Sequence, residues 1–133
     1  MSGPDTYGMG DIYIADTPES REAYRKMREA IKPHADVDVN KSLLTSISNA
    51  NSEIEITSST ANGVRICGYN GNHYGYSNSV NLEGLLNCLK NWADDGFIEL
   101  TDENLSRWKL EIKNHKLYKY KGEAQYSDKQ ELS

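Results

Sequence analysis

The chain has 133 residues, close to the commonest size of one domain and long enough to bury a core without disulfides or a structural metal. Hydrophobic residues make up 37% and charged residues 26%, polar for a globular chain but above the composition of full disorder, so a folded centre with soft ends is expected. The 15 basic and 20 acidic side chains leave a net charge of −5, which argues against non-specific attraction to nucleic-acid phosphates.

Cys67 and Cys88 are the two cysteines, no apolar stretch follows Met1, and no long apolar run occurs anywhere. Secretion by signal peptide and membrane spanning are therefore disfavoured, and a cytoplasmic protein with reduced thiols is expected. Nine Tyr and two Trp against a single Phe give much of the aromatic surface a polar handle, as at interfaces half buried and half wet.

Residues 1–10 are rich in glycine and lack periodicity, which predicts a flexible N-terminus before a first strand at 11–15, around Ile12-Tyr13-Ile14. Thr17-Pro18-Glu19 reads as a helix start: a capping hydroxyl, a proline suited to the first turn and a carboxylate that complements the dipole. The helix is predicted over 18–32, with Ala23, Tyr24, Met27, Ala30 and Ile31 on its apolar face and Pro33 ending it. Residues 36–52 carry signals for both helix and strand and are left open.

Glu53 to Thr57 and Gly63 to Gly68 alternate with period two around the turn material Thr60-Ala-Asn-Gly63, which predicts a hairpin. A Gly, Asn and Tyr stretch follows at 69–78. A second helix is predicted over 82–94, with Leu82, Leu85, Leu86, Leu89 and Trp92 on one stripe and Gly96 ending it. Next come a strand at Phe97 to Leu100, an acidic turn at Thr101 to Asn104, and a strand at 106–113 with Trp108, Leu110 and Ile112 on one side. Asn114-His115 sits between this strand and a last strand at Lys116 to Tyr120; the usual glycine is missing, which leaves a slightly longer turn as an alternative. The expected fold is α+β: a single domain over 11–123, an antiparallel sheet of five or six strands on two main helices, and a flexible tail at 124–133.

A phosphate-cradling glycine loop, a paired-histidine zinc helix, a nucleophile elbow and a double CxxC are all missing. Cys67, His73 and Cys88, with His34 or His115, match no compact metal-ligand spacing, and buried structural cysteines explain the thiols more simply. No cofactor or metal is expected.

Three surfaces offer themselves for binding. Tyr69, His73, Tyr74 and Tyr76 resemble a recognition surface, because Tyr offers large contact area at small entropy loss; a wet strand covering the second helix would need the same residues. Asp94, Asp95, Glu99, Asp102 and Glu103 gather five carboxylates near a helix end, suited to a basic partner or to a solvated turn. Arg107, Lys109, Lys113, Lys116, Lys119 and Lys121 concentrate positive charge in the last hairpin. Tyr118 and Tyr120 interleave there and could stack on bases, although lysine also guards a sheet edge against aggregation.

The run Leu82 to Glu123, LEGLLNCLKNWADDGFIELTDENLSRWKLEIKNHKLYKYKGE, resembles small uncharacterised proteins of bacteria and their phages. The resemblance covers about a third of the chain, chiefly core and turn types, and carries no catalytic residue. It implies an accessory or anti-defence protein that acts by occupying a host protein's surface. A protein-binding module or inhibitor is thus the first expectation, with Tyr69, Tyr74, Tyr76 and the 94–103 carboxylates as contacts. A nucleic-acid or nucleotide binder using the basic hairpin is the second, a small hydrolase the third, and a homodimer stays open.

Overall fold

The structure is a computed structural model and describes residues 5–32, 38–50, 53–59, 62–71, 82–121 and 128–132. Among these, seven strands form one antiparallel sheet: β1 (Thr6–Ala15), β2 (Ile54–Ser59), β3 (Gly63–Gly71), β4 (Gly96–Asp102), β5 (Arg107–Lys113), β6 (Lys116–Lys121) and β7 (Asp128–Leu132). Their order is β2-β3-β1-β4-β5-β6-β7, so the first strand in sequence lies inside the sheet, between β3 and β4. Three α-helices, α1 (Pro18–Ile31), α2 (Leu43–Ala50) and α3 (Leu82–Leu89), accompany it. The α+β class is as expected; the described residues hold seven strands where five or six were expected, and three α-helices where two were.

Alternation along the strands decides which face is buried. Ile12 and Ile14 of β1, Val64 and Ile66 of β3, Ile98 and Leu100 of β4, Leu110 and Ile112 of β5, and Leu117 of β6 share one side of the sheet. Tyr24 of α1, Leu43 and Ile47 of α2, and Leu82, Leu85, Leu86 and Leu89 of α3 close over them in the same cluster. Each of these α-helices lies on that face, leaving the other as the site of outward side chains.

The start of α1 follows the sequence signal. The Thr17 hydroxyl accepts from the Ser20 amide at 3.0 Å, and the Ser20 hydroxyl accepts from the Thr17 amide at 2.9 Å, satisfying two helix-end donors reciprocally. Asp16 ties this end to α2, accepting from Arg21 Nε at 2.6 Å and from the Leu43 amide at 3.1 Å. The far end of α1 departs from expectation: Ala30 and Ile31 are exposed. Pro33 lies outside the described residues.

The second predicted helix is shorter than 82–94. It ends at Leu89, a 3-10 turn covers Lys90–Trp92, and Gly96 opens β4 opposite Ile112 rather than capping a helix. The open segment 36–52 contains α2.

The β2–β3 hairpin pairs as predicted, Ile54 with Tyr69 through Ser59 with Gly63, with Cys67 as an extra residue of β3 relative to β2. The β5–β6 turn is the two-residue one and not the longer alternative: Asn114 and His115 are its central residues, between the paired Lys113 and Lys116. Both have positive φ, 53° and 62°, the geometry of a primed turn that usually holds glycine. Tertiary contacts hold it without one: the Asn114 amide donates to Asp95 Oδ1 at 3.0 Å, and His115 Nδ1 lies 3.2 Å from the Lys90 carbonyl oxygen.

Both expected soft ends contain strand. β1 begins at Thr6, where residues 6–11 pair with β4 on one side while Thr6 to Met9 pair with β3 on the other. Within the tail, Asp128–Leu132 pairs with Lys121 back to Leu117 as β7, giving the otherwise unpaired side of β6 a partner. No helix among the described residues is long and apolar enough to cross a membrane.

Candidate functional site

The open face of the sheet is built from residues that alternate with the core. Register sets Tyr7, Met9 and Asp11 of β1 beside Thr101, Glu99 and Phe97 of β4. Glu99 and Phe97 lie beside Lys109 and Glu111 of β5, which lie beside Tyr120 and Tyr118 of β6. Met9 is 79% exposed, Tyr7 52% and Phe97 43%. These three exposed apolar side chains, with Glu99 and Asp11 directly opposite Met9 and Phe97, form a strip on β1 and β4, where a sheet normally presents polar side chains to water.

Cations and rings interlock around the strip. Lys109 Nζ stands 5.3 Å from the Phe97 ring centroid and 4.5 Å from that of Tyr120. The Arg65 guanidinium lies 5.7 Å from the Tyr13 centroid, while its Nη1 donates to both Asp11 carboxylate oxygens at 2.7 Å. The Tyr120 hydroxyl donates to Glu111 Oε1 at 2.8 Å; burial first, and then this bond, raises its pKa and keeps it a neutral phenol.

At one end of the strip the β4–β5 turn carries Leu105, 77% exposed at φ 66°. A branched apolar side chain in the left-handed region is strained, by about 1 kcal/mol or more. The turn is held by Asp102, whose Oδ1 accepts from the Asn104 amide at 2.9 Å and the Ser106 amide at 3.0 Å. Replacing Leu105 by Asn, which tolerates this conformation, is expected to raise stability by about 0.5 to 1 kcal/mol in urea unfolding. If Leu105 is a contact, the same change weakens binding, so the two readouts move in opposite directions.

The residues singled out from sequence are scattered by the fold. Tyr69, expected as a contact, is 5% exposed on the core side of β3, and its pKa is pushed up to about 12 by burial and then by the Glu53 charge. His73, Tyr74 and Tyr76 lie outside the described residues. The five carboxylates serve different places rather than one patch. Asp95 and Asp102 hold turns through their side chains, and Glu99 stands on the open face. Asp94 and Glu103 are exposed and tied through their backbone amides to the Tyr13 and Asp5 carbonyl oxygens.

The basic hairpin is likewise divided. Arg107 and Lys109, with Tyr118 and Tyr120, stand on the open side, and Lys116 and Lys113 pair at its margin. Lys119 points to the helix side, donates to Glu83 Oε1 at 2.7 Å and lies over the Trp108 ring, on the opposite face from Arg107 and Lys109. Lys121 shares that side, opposite Trp108.

Among the described residues no group of three or more His, Cys, Asp and Glu side chains is placed to hold a metal. Cys67 is exposed on β3 and Cys88 half-buried on α3, where burial pushes its thiol up to about 11 and keeps it protonated.

Sequence reasoning passed over Tyr7, Met9, Phe97 and Leu105. The alternation Phe97-Ile-Glu-Leu100 carried part of the signal, since a buried Ile98 turns Phe97 outward beside Glu99. No family model matches the chain, and no curated protein or solved structure does.

Proposed function

We propose that the chain is a protein-binding module whose contact surface is the open face of the sheet, centred on Tyr7, Met9 and Phe97. The observation that supports this is Met9, 79% exposed on an interior strand between two other exposed apolar side chains. Contiguous exposed apolar patches rimmed by polar groups mark interaction sites, and aromatic residues and Met are enriched at interface centres. Asp11 and Glu99 among these side chains, and Arg65 and Lys109 beside them, supply charges of both signs. In keeping with the resemblance of residues 82–123, the proposed partner is a host protein whose surface the module occupies.

The test is a tagged pull-down from bacterial lysate with and without nuclease, run beside Met9→Lys and Phe97→Thr variants. The expected result is a stoichiometric protein that survives nuclease, with recovery falling about tenfold or more in either variant, as for truncation of a buried interface anchor. Equal recovery by the variants overturns the reading.

A second reading, single-stranded nucleic acid, draws on Lys109 between the Phe97 and Tyr120 rings, since bases stack on aromatic side chains while cations meet phosphates. Glu99 and Glu111 beside Lys109 count against it. Recovery of only nuclease-sensitive material, with retention falling steeply as salt rises, would favour this reading over the first.

A further inference from the structure

Among the described residues, the two edges of the sheet are guarded unequally. At one end β7 reads Asp-Lys-Gln-Glu-Leu, with three charges in five residues. At the other, β2 reads Ile-Glu-Ile-Thr-Ser-Ser, with one charge in six residues and neither lysine nor proline. Charges and proline are the ordinary devices that stop an edge strand from pairing with another chain, because its outer N–H and C=O groups are a ready template. Ile54, Ile56 and Thr57 are branched at Cβ and favour the extended backbone that such pairing needs. On the covered side, Ile56 and Leu44 of α2 pack against the core but stay only partly buried. The apolar layer therefore continues to the rim of the sheet instead of stopping short of it.

We propose that β2 is an assembly edge, and that it pairs antiparallel with β2 of a second copy of this chain across a two-fold axis normal to the sheet. That operation keeps both helix layers on one side, brings the two α2 helices together over the junction and covers Ile56 and Leu44. Centred on Thr57, the pairing sets Glu55 against Ser59, so no like charges stand opposite each other. A foreign peptide would need side-chain pockets along the edge for specificity, whereas a second β2 already carries the matching alternation of apolar inward and polar outward residues. The two open faces then lie side by side on one surface. That consequence for binding rests on the open-face reading; the pairing itself does not.

The test is sedimentation through the micromolar range under reducing conditions, because Cys67 is exposed. The expected result is a mass rising from 15.0 kDa to twice that value, with amides of Ile54–Ser59 gaining protection from hydrogen exchange as concentration rises. Thr57→Lys, at an exposed position, should raise the dissociation constant about tenfold or more, and Met9→Lys should leave it unchanged. A protein monomeric throughout, with fast exchange in β2, overturns the proposal without touching the open-face reading. A dimer that ignores Thr57→Lys but is lost in Met9→Lys overturns it by placing self-association on the open face.

Discussion

Replacing Gly10 by alanine is expected to destabilise the protein by about 3 kcal/mol or more, seen as a large fall in the urea midpoint. A Cβ at Gly10 would lie 2.1 Å from the Phe97 carbonyl oxygen and 2.6 Å from Ile98 Cα. Both are backbone atoms of the neighbouring strand, so relief requires β1 and β4 to separate where they pair. Gly8, two residues earlier on the same strand, is the control. A Cβ there meets the Leu100 Cδ2 atom at 2.8 Å, the end of a side chain that can rotate. Gly8→Ala should accordingly cost only about 1 kcal/mol. Equal effects at the two positions would contradict the close approach of β1 and β4 at Gly10. Because Phe97 and Met9 flank the contact, Gly10→Ala should also disturb the open face, unlike a core substitution elsewhere.

Leu86→Ala should cost about 2 to 5 kcal/mol, a large share of the roughly 5 to 15 kcal/mol that holds a domain of this size. Leu86 is fully buried, with Leu82, Leu85 and Leu89 of the same helix beside it in the cluster that closes the sheet. Truncation removes apolar burial and leaves a cavity that neighbours on a single-turn spacing cannot fill without moving α3. Ile31→Ala is the comparison on α1, since Ile31 is 40% exposed and should change stability by about 0.5 kcal/mol or less. Chemical denaturation of both variants checks the contrast. A loss below about 1 kcal/mol at Leu86 would mean that α3 does not anchor the core.

The elements legible in the sequence were those whose signals are local. The Thr17-Pro18 helix start, the leucine stripe of α3 and the period-two hairpin at β2 and β3 each depend on residues a few positions apart, and each stands where it was predicted. Glycines misled at the N-terminus. In isolation Gly8 and Gly10 suggest mobility, whereas in the sheet they let β1 sit closely against β4. Segment 128–132 carried no apolar alternation, and its strand depends on the edge that β6 offers. The open face was hidden for a different reason. Met9, Phe97 and Lys109 come together only through the registers of β1, β4 and β5, and a chain read one residue at a time contains no register. The carboxylates between 94 and 103 are the converse case: neighbours in sequence, they are divided among two turns and a strand.

The interior position of β1 has a consequence for synthesis. Thr6 pairs with Gly71 and with Asp102, so β1 waits for partners made much later than itself. A nascent chain leaving the ribosome presents Tyr7, Met9, Ile12 and Ile14 in an extended, β-prone segment through that interval, with no ladder to join. Closure of such distant pairings is slow, on the order of milliseconds to seconds for sheets rich in non-local contacts. Conditions that stall translation before β3 emerges should therefore favour aggregation of the fragment made so far, with chaperones as its early companions.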